Sequence, residues 1–378
     1  MGKSYNGGRG GIVKGGRNNT SFKKSTIYTG PGSHKNKKAQ GAFGSFISIF
    51  TDGWEALDKK KLKYEVPVAA VFAIVGLAAV KLIPLITVGS AAVSRMLTEL
   101  LCFVIILLLN TVYALVNKVE PEPADVSIQA KGMGLGALYG LICLGGVTAI
   151  LRMYSVLSFG SDIAAIDSLP LWVIALLARV LTTEVFAHGI IYRGLRRDFN
   201  FAVAAVFAAV VFIVMNWETA VVNPYSFLTL LFASVFFSAA IENSGTMVTS
   251  ITTYYIWICM GGLILNLVNL PKDYPHMFSP SFNGSVLLTG GAARIEGSLI
   301  TLVINIMFIF SFYGMWVKRY QEEHEAAEAK VRKNRAAGEN ELGKVRIGGR
   351  VYPNVETRIG QKTKYAEKTF FDKLKDLF

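Results

Sequence analysis

Residues 97–116 read LTELLCFVIILLLNTVYALV, twenty positions with one charge, Glu99, near the start. Such a run is long enough to cross the hydrocarbon of a bilayer as a helix, which needs about 20 apolar residues. It is one of eight. The others are Val66–Val88, Met133–Met153, Leu171–Tyr192, Phe201–Trp217, Tyr225–Ile241, Met247–Val268 and Leu299–Val317, the fifth and sixth of the set being short. The expected fold is all-α: a polytopic membrane bundle of about eight helices occupying residues 64–317.

Charge supports the same division. The chain has 378 residues, a formal net charge of +13, 52% hydrophobic and only 17% charged residues. Of its 39 lysines and arginines, 13 fall in residues 1–64 and 15 in residues 318–378. A basic surplus can attract nucleic acid. Flanking an apolar core, it reads instead as the inside-positive bias of a membrane protein. The connection Arg193–Asn200 carries Arg193, Arg196 and Arg197, whereas Ser158–Pro170 carries two aspartates and no base. Both termini are therefore expected in the cytoplasm. Cys102, Cys143 and Cys259 fall inside apolar runs without CxxC spacing and read as buried hydrophobes, neither disulfides nor ligands. No metal site and no cofactor is expected.

The tails divide further. Residues 1–42, rich in Gly, Asn and Lys, read as disordered rather than as a cleavable signal. The fragment Gly7-Gly8-Arg9-Gly10-Gly11 is too short to make nucleic acid a partner, and no myristoylation pattern is complete. In residues 43–63, Phe46, Phe50 and Trp54 lie on one helical stripe followed by Lys59, Lys60 and Lys61. That amphipathic segment either lies on the inner leaflet or packs on the protein. Residues 318–337 extend the last helix, and residues 345–352 read as a hairpin turning at Gly348-Gly349. Phe370, Phe371, Leu374 and Phe378 then form an apolar face among lysines, suited to a membrane surface or a partner protein.

Ionisable groups within a span are costly and mark candidate sites. The fourth span holds Arg179, Glu184 and His188, the last two one helical turn apart, and ends at Arg193-Gly194. Asn216-Trp217-Glu218 closes the fifth span, Asn223-Pro224 opens the sixth, and Ser244-Gly245-Thr246 precedes Tyr254 in the seventh. There is no HExxH, P-loop or nucleotide fingerprint.

Over about residues 171–265 this order resembles the CPBP family of intramembrane proteases, the CAAX proteases and bacteriocin-processing (Abi) enzymes. Its first motif is a Glu-Glu pair followed after three residues by Arg-Gly, and here Arg193-Gly194 stands after an aromatic. Its second is Phe with His four residues on, here Phe212 and Asn216. Its third has His and then Asn four residues later, here Tyr254 and Ile258. The resemblance implies that the first Glu would activate water and that the histidines would assist the base and the oxyanion. Carried over, that Glu is His188, its neighbour is Gly189, and only Arg193 and Phe212 are retained.

The implied reading is a non-catalytic scaffold on a CPBP-like core, with basic tails docking other membrane or cytoplasmic proteins, or anionic lipid, in a bacterial plasma membrane. One alternative is an atypical protease using Glu184 and His188, with Arg193, Asn216 and Tyr254 as further candidates. The other is a transporter, although no internal repeat is visible. Glu184 and His188 can equally be a buried polar pair that holds the bundle together.

Overall fold

A computed structural model describes residues 59–117, 125–312, 345–347 and 350–352. Among the described residues, eight apolar helices carry the fold. They are α1 (Lys59–Leu82), α2 (Ala91–Asn117), α3 (Val126–Met153), α4 (Leu169–Glu184), α5 (Phe201–Met215), α6 (Pro224–Ser244), α7 (Val248–Ile258) and α8 (299–312). Every expected span has its helix.

Sequence chemistry sets the helix ends. Asp125 and Asn200 accept from the backbone N–H groups of Ser127 and Val203, both at 2.8 Å, capping α3 and α5. Asn223 and Ser226 form a reciprocal capping box with Pro224 at the first turn of α6. Gly245, at φ 77°, ends α6 in the left-handed region that glycine adopts without a Cβ penalty. Between α1 and α2, Thr98 Oγ1 and Ser94 Oγ accept from the N–H groups of Ile86 and Val88, satisfying a connector that has no helix of its own.

Among the described residues, six segments are long and apolar enough to span a bilayer: Glu65–Leu82, Ala91–Asn117, Val126–Met153, Leu169–Arg196, Pro224–Ser244 and Gly291–Phe312. Phe201–Met215 and Val248–Ile264 are shorter. Fifteen residues of α5 rise only about 22 Å, less than the roughly 30 Å of hydrocarbon. It is the most enclosed helix, with eleven of its residues buried. The long helices are the reverse. Ile74 of α1 is 67% exposed, Leu108 of α2 62% and Met307 of α8 62%. Apolar surface on that scale needs lipid around it.

Two segments depart from the sequence reading. The first helix begins at Lys59, so the boundary drawn at residue 63 falls inside it. The stretch after α3, read as a loop, forms β1 (Leu157–Ile163), which pairs antiparallel with β2 (Phe278–Phe282), Leu157 opposite Phe282. The hairpin appears where expected, β3 (Val345–Ile347) against β4 (Arg350–Tyr352). Residues 1–58, with Phe46, Phe50 and Trp54, and residues 353–378, with Phe370, Phe371, Leu374 and Phe378, lie outside the described residues. So does the expected helix 318–337. Only the backbone of Lys59, Lys60 and Lys61 is described, as the first turn of α1.

The principal helix pairs are α3 with α7, α2 with α4, and α5 with α6. Gly132, Gly136 and Gly140 give α3 a small-residue stripe on which Thr246, Thr249, Thr253 and Ile256 sit at backbone distance. Thr253 Oγ1 donates across that seam to the Gly136 carbonyl at 3.1 Å.

Candidate functional site

Beyond Glu184, α4 continues as a π-helical stretch, Val185–Tyr192, before a last α-turn at Arg193–Arg196. π-Turns inside helices recur at functional sites, and this one holds the expected pair. His188 Nδ1 lies 3.1 Å from Glu184 Oε2, although not aligned as a hydrogen bond, and both side chains are fully buried. His188 Nε2 lies 3.2 Å from the Ser234 carbonyl and 3.3 Å from Ser234 Oγ. The imidazole tautomer follows its Ser234 contacts: Nε2 carries hydrogen if it donates to the carbonyl, and accepts if Ser234 Oγ–H donates to it. The rings of Tyr192, Phe212 and Phe237 lie 6.1–6.3 Å from the imidazole and close its remaining sides.

Asn216 and Tyr254 form a second group. Asn216 ends α5, and its Nδ2 donates to the Phe212 carbonyl at 3.0 Å. Tyr254 OH donates to Asn216 Oδ1 at 3.0 Å. Phe212 stands between the two groups, its ring 5.3 Å from Tyr254 and 6.3 Å from His188. Asn216, Tyr254 and Ile258 line a cavity of about 1020 Å³, whereas Glu184 and His188 do not.

The cavity is strongly charged. Glu99 accepts ion pairs from Arg95 at 3.2 Å and Arg179 at 3.4 Å, and Tyr274 OH donates to it at 3.4 Å. Arg95 reaches Asp273 at 3.5 Å and lies 5.0 Å over the Tyr274 ring. Buried Glu296 accepts from Asn269 N–H at 3.1 Å and Trp257 Nε1 at 3.4 Å, which pins the segment after α7. In that segment, burial first and then Glu99 push the Tyr274 hydroxyl upward, while burial and then Arg294 hold the His276 imidazole below its ordinary value.

Arg193 is apart from both groups. Its Nη1 contacts Met247 Sδ at 3.9 Å. The glycine after it has a packing reason: a Cβ on Gly194 would lie 2.0 Å from the Tyr113 hydroxyl. At this same end Tyr192 OH and Arg196 Nε both donate to Glu242 Oε1 at 2.7 Å. The five residues singled out in the sequence thus fall in three places, of which only the Asn216–Tyr254 pair faces the cavity. Sequence reading missed Arg95, Glu99, Asp273 and Glu296 as its charged walls. Arg95 and Glu99, at i,i+4 in an apolar run, were the available signal. Among the described residues no group of three or more His, Cys, Asp or Glu could hold a metal ion.

An apolar exterior around a polar, charged cavity defines a polytopic helical membrane protein. Residues 165–260 match the family model for type II CAAX prenyl endopeptidase Rce1-like proteins. This chain carries a domain of that CPBP family, covering α4 to α7. No curated protein and no solved structure matches it.

Proposed function

We propose that this chain is a non-proteolytic member of the fold, a membrane scaffold whose basic tails engage a partner protein or anionic lipid. One observation carries the reading. The residue at the position of the family's water-activating carboxylate, His188, is fully buried behind Phe212 and Phe237, away from the cavity. A hydrolytic base must reach water and a scissile carbonyl within hydrogen-bond distance, and that position is enclosed by aromatic rings. The cavity wall offers Asn216 and Tyr254, bonded to each other, where the family has two histidines. An amide and a phenol are poor proton carriers at neutral pH. On this reading the basic tails favour cytoplasmic termini, and the CPBP likeness favours a bacterial plasma membrane.

The test has two arms. Purified full-length chain in proteoliposomes is incubated with a prenylated CAAX peptide and followed by mass spectrometry. No cleavage is expected. Cleavage that disappears in a folded Glu184→Ala/His188→Ala variant would establish the atypical protease instead. In parallel, full-length chain and forms lacking residues 1–42 or 318–378 are affinity-purified in mild detergent. A stoichiometric companion lost with either tail is expected, and retention of every companion without both tails would overturn the docking role.

A further inference from the structure

Lys81 stands at the end of α1 and Arg179 midway along α4, yet both line one small recess with Val80, Thr182, Thr183 and Met215. The recess shares Val80, Lys81, Glu99, Arg179 and Met215 with the large cavity and so opens from it. Its volume is about 50 Å³. A water needs roughly 10–15 Å³ on the same measure, so one tetrahedral oxyanion fits.

The charges do not cancel there. Glu99 is the recess's single carboxylate, and it is divided between Arg179 and Arg95. Among the described residues Arg179 has no other ion pair, and Lys81 has no carboxylate within ion-pair distance. Glu218 and Asp273 lie on the larger cavity wall, and Asp273 is paired with Arg95. The threonine hydroxyls donate to the carbonyls of Ala178, at 2.8 Å, and Arg179, at 3.1 Å. The ammonium and guanidinium are therefore the donors left to face the recess. Lys81 is exposed and a quarter of the Arg179 side chain is too, so both cations are open to an anion entering from the cavity, and a planar guanidinium with an ammonium suits phosphate.

We propose that this recess binds one phosphate-type oxyanion, either the headgroup phosphate of an anionic phospholipid or free phosphate. A lipid can approach from the side. Leu82, next to Lys81, is 79% exposed, and Ile74 and Val75 on the same helix also face outward. Acyl chains along α1 would leave the headgroup at its end. The site is independent of the tails and of whether the chain cleaves anything.

The test uses full-length chain in neutral detergent, titrated with phosphatidylglycerol or inorganic phosphate and read by tryptophan-detected melting and native mass spectrometry. Because the tails also attract acidic lipid, the reading is the part that depends on Lys81. Lys81→Gln should weaken the protective binding at least tenfold while leaving the ligand-free melting temperature unchanged. Arg179→Gln, which leaves Glu99 paired with Arg95, should weaken the binding likewise. Protection by phosphatidylglycerol alone identifies a lipid site; equal protection by phosphate identifies a free-anion site. Binding by Lys81→Gln indistinguishable from the parent, or no binding of either probe, overturns the proposal.

Discussion

At the scale of single residues, the Glu184–His188 pair is the sharpest test of what the buried polar core is for. Each side chain is fully buried, and the carboxylate has no hydrogen-bond partner apart from its close approach to the imidazole. Removing one member of such a pair leaves the other buried and uncompensated, at a cost of about 3–5 kcal/mol, whereas replacing both by apolar residues of similar size is often neutral. His188→Leu should therefore lower stability by roughly that amount, and Glu184→Met/His188→Leu should recover most of it. Denaturant or thermal unfolding in detergent measures both. A double variant as unstable as the single one would mean that the pair holds something beyond itself. The pairing of these two residues was legible, because i,i+4 positions share a helix face. Their enclosure was not, since it comes from Ser234 and Phe237 on α6 and Phe212 on α5. Likewise Arg95 and Glu99 share a turn, but Arg179 and Asp273 join them from 80 and more residues away, and no local pattern encodes that meeting.

At the scale of elements, the seam between α3 and α7 depends on missing side chains. A Cβ on Gly136 would stand 2.4 Å from the Thr249 carbonyl oxygen and 2.8 Å from Thr252 Cβ. The first of these is backbone and cannot swing aside. Gly134 and Gly145 lie on the same helix with nothing within 4 Å of an added Cβ. Overpacking by one methyl group costs about 1–3 kcal/mol, so Gly136→Ala should destabilise by that order. Gly134→Ala and Gly145→Ala should be neutral or slightly stabilising, since Ala is the better helix former. Comparing the three melting temperatures separates packing from propensity, and equal effects at all three sites would remove the seam from the argument. The glycine spacing was visible in the sequence; which face it served was not. Strand β1 was invisible for a related reason. Its partner β2 lies about 120 residues away, and the segment carries no strong alternation to announce a strand.

At the scale of the whole molecule, the helix directions divide the polar chemistry between two ends. The cavity is walled by the end of α1, the beginning of α2, the end of α5 and the segment after α7. The opposite end gathers Glu65 at the start of α1, Asn117 at the end of α2, Arg196 and Arg197 after α4, and Glu242 near the end of α6. Arg197 reaches both Glu65 and the Asn117 carbonyl, and Arg196 reaches Glu242. The basic tails attach at this second end, through α1 and α8. The tails, which hold 28 of the 39 basic residues, join the end that carries Arg196 and Arg197, and the inside-positive bias would put that end in the cytoplasm. With the tails in the cytoplasm, as proposed, the cavity would face away from it. Exposed Ser279 in β2 and exposed Ser127 at the start of α3 mark the two ends. With the three native cysteines replaced, a membrane-impermeant maleimide should label Ser279→Cys in intact cells and Ser127→Cys only after permeabilisation. The reverse pattern would invert the chain, turning the charged cavity towards the cytoplasm and the tails away from it. In either orientation the hydrocarbon layer lies between cavity and tails, so a soluble ligand or partner cannot bridge them directly, and the labelling decides only which of the two meets the cytoplasm.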